Sequence, residues 1–164
     1  VEIALNRGHV DLLILAILVF QRLCDAGNAD LVLTQLSQWI GDRNANPSLR
    51  KAAALIFLEA VRLPLVVGDG HLIDSAVDVF LVGLSDRKLA NSGVIRSAML
   101  EKLKGWAEES FGDPEKQAAV ETLFTLLHIR AETPRDKERI VFHLQRWNRR
   151  DDRFAQIARG LVQS

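Results

Sequence analysis

Apolar residues recur along this chain at separations of three and four, which is the spacing of one face of an α-helix. No segment shows sustained alternation of apolar and polar residues with turn dipeptides, so the pattern predicts no strands. Three of the four prolines follow a capping residue, in Asn46-Pro47, Asp113-Pro114 and Thr133-Pro134. Each pair predicts a helix start, because the cap accepts a hydrogen bond from an N–H group and proline lacks a donor where none is needed. The predicted helices are about residues 9–25, 29–40, 47–62, 72–85, 92–109, 114–129, 134–148 and 152–162, with Pro64 in a linker over residues 64–70.

Short connections between these helices predict antiparallel neighbours, which suits a closed bundle or an array of hairpins. Internal repetition favours the array. Three helices overlay when Arg50, Arg96 and Lys137 are aligned, and these residues lie 46 and 41 positions apart. Apolar residues then coincide at the third, seventh and tenth positions after each, which trace one helical face.

The second helix of the first unit reads Asn46-Pro-Ser-Leu-Arg50-Lys-Ala-Ala53, which resembles the opening Asp-x-x-Val-Arg-x-x-Ala of the HEAT repeat family. Gly93-Val-Ile-Arg96 is a looser match, and the third unit has Asp136-Lys137 where an apolar residue and arginine are expected. The resemblance covers residues 29–148. It implies an all-α, HEAT- or armadillo-like, right-handed superhelix of antiparallel helix hairpins with about eight helices. It also implies a ladder of ion pairs between repeats, for which the candidates are Asp42, Arg50, Asp86 and Arg96.

The resemblance further implies a protein–protein interaction scaffold, or a regulatory domain, because such arrays expose an extended face lined by their second helices. The C-terminal end adds a basic cluster, since residues 130–164 hold nine Lys or Arg and five Asp or Glu. The predicted partner is another protein or another domain of the parent chain. The predicted partner-binding residues are Arg50, Lys51, Arg96, Lys104, Arg139, His143, Arg146, Trp147, Arg149, Arg150 and Arg153.

Length and composition add three expectations. The 164 residues fit a single helical-repeat domain, and a chain that begins at Val1 is expected to be a piece of a larger protein or a processed product. The apolar run from Leu12 to Phe20 is shorter than the ~20 residues of a membrane span, so it predicts a buried helix and no membrane association. The single cysteine, Cys24, predicts a packing role in a reducing compartment, hence a cytoplasmic location.

No catalytic, phosphate-binding or metal-binding motif occurs in the chain. The four histidines lack the spacing of three or four residues that a helical metal site needs. The sequence therefore predicts a non-enzymatic protein with no metal and no cofactor. A formal net charge of zero makes nucleic acid an unfavoured partner. Two alternatives remain open: a HEAT-like domain that binds a phosphate backbone, and a structural dimerisation or assembly element of a secretion or defence complex.

Overall fold

A computed structural model describes residues 7–86, 94–146 and 152–163, and within these ranges the fold contains helices and no strands. The all-α prediction is thus confirmed over the described chain. The helices are α1 (Arg7–Leu23), α2 (Ala29–Gly41), α3 (Pro47–Ala60), the single turn α4 (Leu63–Val66), α5 (Gly70–Ser85), α6 (Val94–Glu109), α7 (Pro114–Arg130), α8 (Pro134–Arg146) and α9 (Asp152–Gln163).

The three proline-marked helix starts are confirmed at α3, α7 and α8. Asn46 accepts a hydrogen bond from the backbone N–H of Ser48 at 2.8 Å, and Asp113 accepts from the N–H groups of the next turn. The Thr133 hydroxyl accepts from the N–H of Asp136 at 3.2 Å. Each cap satisfies a donor that has no partner inside its own helix.

One connection differs from the prediction. The predicted linker contains α4, because Leu63 and Val66 are buried and Pro64 starts a helical turn where its missing N–H costs nothing. The break predicted between α1 and α2 is confirmed, because the chain leaves the helical conformation and bends sharply at Gly27, in the turn Cys24–Asn28. Gly27 has a φ of 89°, a conformation that favours glycine. Cys24 is buried in this turn, as its predicted packing role requires.

The helices pack in two rows. In one row α2 lies against α5 and α5 against α7, and in the other α1 lies against α3 and α3 against α6. Consecutive helices join the rows, as α2 does with α3 and α5 with α6, while α9 packs on α7 and α8. The core lies between the rows. Its centre is an aromatic cluster in which the Phe80 ring meets Phe57 and Trp106 edge to face, with centroids 5.0 and 5.3 Å apart.

The prediction that the apolar helix from Leu12 to Phe20 is buried is wrong for half of its surface. In α1, residues such as Leu13 and Ile17 pack against the core, but Leu12 and Leu15 are 64% and 57% exposed. The reason is that α3 and α2 cover only one side of α1. Among the described helices, none is both long and apolar enough to cross a membrane.

Arg50 is buried at the start of α3, with 2% of its surface exposed. Its Nε and Nη2 donate to the carbonyl oxygen of Ile40, at the end of α2, at 2.9 and 2.8 Å. Nη2 also donates to Asp86 Oδ2, just after α5, at 2.6 Å. The placement of Arg50 on an exposed binding face is therefore wrong. Its guanidinium instead joins the ends of α2 and α5 to the start of α3.

We expect Arg50→Met to lower the free energy of unfolding by about 3 kcal/mol, because the Ile40 carbonyl and the Asp86 carboxylate lose a buried guanidinium. Urea denaturation measures this change. Arg43→Met is the matched control: Arg43 is exposed in the adjoining turn, so its loss should change stability by less than about 0.5 kcal/mol. Equal stability of the two variants would contradict the role of Arg50.

Candidate partner-binding surface

The second helices of the three hairpins, α3, α6 and α8, carry most of the residues that the sequence predicts to bind a partner. Arg96 occupies in α6 the position that Arg50 holds in α3, and its Nε donates to the carbonyl oxygen of Leu84, near the end of α5, at 3.2 Å. It is partly buried. Both arginines thus satisfy carbonyl groups at the end of the preceding helix, where an α-helix leaves acceptors without donors.

One rung of the predicted ion-pair ladder forms, between Arg50 and Asp86. Asp42 instead accepts a hydrogen bond from the N–H of Asn44 at 3.0 Å within its own turn. Ala131 caps α7 at the place that Asp42 and Asp86 take after α2 and α5, so no carboxylate stands there for Arg96. A different contact links α7 to α5: Arg130, at the end of α7, pairs with Asp74 and with Asp78, the latter at 3.3 Å.

Among the other predicted residues, those on α8 lie together, whereas those on α3 and α6 are separate. Lys51 on α3 and Lys104 on α6 are each partly exposed. Arg139, His143 and Arg146 lie together on α8, four and three residues apart. Trp147, Arg149 and Arg150 lie outside the described residues, as does the side chain of Arg153 in α9.

An exposed phenylalanine lies among these α8 cations. Phe142 is 56% exposed, and its ring meets the His143 ring edge to face at 5.5 Å. Arg135 is also exposed and lies one further turn toward the start of the helix. Arg135, Arg139, Phe142 and Arg146 follow the helical spacing of four, three and four, so they share a face. We call Arg135, Arg139, Phe142, His143 and Arg146 the α8 face.

Electrostatics agree with the clustering of these side chains. Burial lowers the pKa of His143, and the positive charges of Arg146 and Arg139 lower it further. The imidazole is therefore uncharged at neutral pH, and the arginines supply the positive charge of the face. Asp136 Oδ1 lies 3.6 Å from Arg139 Nη1, a contact too long for a strong hydrogen bond, and the Arg139 side chain is one-third exposed.

Concave surfaces border α8 on both sides. Toward α9, an open cleft of about 430 Å³ is lined by Val141, Phe142, Leu161, Val162 and polar side chains. Toward α6, a cavity of about 30 Å³ lies over Leu103, Phe124 and Ile140, with Arg139 and His143 at its edge. The cavity has the volume of about one water molecule. The cleft is the larger opening, and it gives the α8 face an apolar neighbour.

Phe142 and Arg135 were not predicted from the sequence. Their spacing with Arg139 and Arg146 could have indicated the shared face, but no pattern distinguishes an exposed phenylalanine from a core one. Lys102 was not predicted either, because its surroundings depend on how α6 packs against α3. Lys102 Nζ donates to the Leu58 carbonyl oxygen at 2.6 Å and lies 5.7 and 5.4 Å from the ring centroids of Phe57 and Trp106.

Burial lowers the pKa of Lys102 to about 8, although the carboxylates of Glu59 and Glu109 act in the opposite direction. Between pH 8 and 10.5 the unfolded chain then holds a proton that the folded protein has lost, so stability rises with pH. We expect this amine to add up to about 3 kcal/mol to the free energy of unfolding across that window.

Urea denaturation of the wild type and of Lys102→Met over pH 7 to 11 tests this expectation. The difference between the two proteins isolates Lys102 from other groups, such as Cys24, whose pKa is raised by burial and whose contribution has the opposite sign. A difference that does not change with pH would contradict the lowered pKa of Lys102.

Comparison with known proteins found no protein-family model, curated protein or solved structure that matches the chain. Among the described residues, no group of three or more His, Cys, Asp or Glu side chains could hold a metal ion.

Proposed function

We propose that this chain is a HEAT-like helical repeat that serves as a protein-interaction scaffold, and that its α8 face binds an acidic segment of another protein. The single observation that carries the proposal is the exposure of Phe142 on a helix face with three arginines, beside an apolar cleft. Aromatic residues and arginine are enriched at protein–protein interfaces, and arginine is among the residues that most often dominate the affinity.

Two features support the repeat architecture. Hairpins that are neighbours in sequence are neighbours in space, as expected of an array in which each unit contacts mainly the next one. Arg50 and Arg96 make equivalent bonds from the start of a second helix to the end of the first helix. Equivalent residues with equivalent roles support a repeat rather than a bundle without internal symmetry, and the right-handed superhelix is proposed from the resemblance to HEAT repeats.

The chemistry of the α8 face defines its partner. Guanidinium groups pair with carboxylates through two parallel hydrogen bonds, so acidic side chains suit Arg135, Arg139 and Arg146. Phe142 and the adjoining cleft suit an apolar side chain carried on the same segment. An amphipathic helix with both kinds of residue would lie along α8 as peptides do in helix-binding grooves.

Selection from a random peptide library against the whole chain tests this proposal. We expect the enriched peptides to combine Asp or Glu with Leu or Phe. Phe142→Ala and Arg139→Glu should each weaken the binding of such a peptide roughly tenfold, about 1.4 kcal/mol, because each removes a central contact. Fluorescence anisotropy with a labelled peptide measures the change, and the affinity should fall as salt is added.

Leu49→Ala and Arg43→Glu are the matched controls, since both side chains are exposed and belong to the first hairpin rather than to α8. Peptides that bind equally well to the α8 variants and to the controls would refute the assignment of this face. Tight, salt-dependent binding of duplex DNA or RNA through the same arginines would instead favour the phosphate-backbone alternative.

A further inference from the structure

The outer side of α1 is an apolar surface that no other helix in the described chain covers. Leu15 and Leu18 lie at its centre and are 57% and 52% exposed. At about 100° per residue, the same exposed arc includes apolar side chains on both flanks. These flanking residues are Val10, Leu12, Ile14, Val19 and Leu23, each 39–64% exposed. Together with Leu15 and Leu18 they form one continuous apolar surface, and such surfaces on soluble proteins often mark interaction sites.

Opposite charges stand at the two ends of this surface. Asp11 lies one turn before Leu15, and Arg22 lies one turn after Leu18, on the same line along the helix. Both side chains are exposed, and neither has an ion-pair partner within the described residues. Their eleven-residue separation places them about 16 Å apart along the axis. The centre line of α1 therefore reads acid, leucine, leucine, base.

Such a line is complementary to itself when two copies run in opposite directions. A two-fold axis midway between Leu15 and Leu18 places Leu15 of one copy opposite Leu18 of the other. The same operation places Asp11 opposite Arg22 at both ends. A two-fold dimer needs a surface that matches itself in this way. A parallel pair would instead place Asp11 opposite Asp11 and Arg22 opposite Arg22.

We propose that the chain dimerises through an antiparallel pairing of α1 with α1 of a second copy, fixed in register by two Asp11–Arg22 ion pairs. Apolar contact between the leucines supplies the attraction, and the charges select the orientation. The two faces together remove on the order of 1,000 Å² from solvent, the lower limit for a specific interface. A reversible dimer of moderate affinity follows. This inference is independent of the function proposed for α8.

Charge reversal gives a test specific to this pairing. Asp11→Arg places one arginine opposite another at both ends of its homodimer, and Arg22→Asp places one aspartate opposite another at both ends. Each single variant should therefore dimerise at least roughly tenfold more weakly than the wild type. Mixing the two variants restores both attractive pairs, so a heterodimer of near wild-type affinity should form. The double variant Asp11→Arg/Arg22→Asp should dimerise by itself.

Sedimentation velocity over a range of protein concentrations measures these affinities, and thermal unfolding confirms that each variant is folded. Arg43→Asp, an exposed charge reversal in the turn after α2, should leave dimerisation unchanged. A wild type that stays monomeric, including one that binds lipid vesicles through α1, would overturn the proposal. A dimerisation affinity that neither charge reversal changes would also overturn the proposal. The same holds for a mixture of the two variants that associates no better than either variant alone.

Discussion

The carbonyl groups at the ends of α2 and α5 constrain the rest of the fold, because each helix ends in a tight turn where its last acceptors need donors. Arg50 donates to the Ile40 carbonyl group at the end of α2 and also forms an ion pair with Asp86, just after the end of α5. One buried guanidinium thus fixes three helices: the one that carries it, the one before it and the first helix of the next hairpin. The aromatic cluster around Phe80 adds a second link, because its rings come from α3, α5 and α6.

The sequence could predict the helices because the signals for them are local. Asn46, Asp113 and Thr133 cap helices through bonds to residues two or three positions away, and such bonds do not depend on the rest of the chain. The short α4 escaped prediction because it depends on the burial of Leu63 and Val66 against other helices. Arg50 illustrates the same limit. Its place in the repeat is visible in the sequence, but its burial depends on where α5 lies.

The candidate surface could be predicted only in part, for a related reason. Arg139, His143 and Arg146 share a face by spacing alone, so the sequence places them together. Phe142 looks like any apolar position of an amphipathic helix, and only the arrangement of α7, α8 and α9 shows that its ring faces solvent. The outer side of α1 is the converse case. An apolar run predicts burial, and its exposure emerges only when α3 and α2 are seen to cover a single side.

The two junctions between hairpins hold together by unlike means. The first contains a buried ion pair, Arg50–Asp86, whose side chains are 3% and 12% exposed. At the second, Ala131 leaves no equivalent carboxylate, and Arg130 reaches Asp74 and Asp78 through side chains that are about one-third to one-half exposed. Mobile ions screen exposed pairs far more than buried ones. Raising the ionic strength therefore weakens the Arg130 pairs at the second junction more than it weakens the Arg50–Asp86 pair at the first.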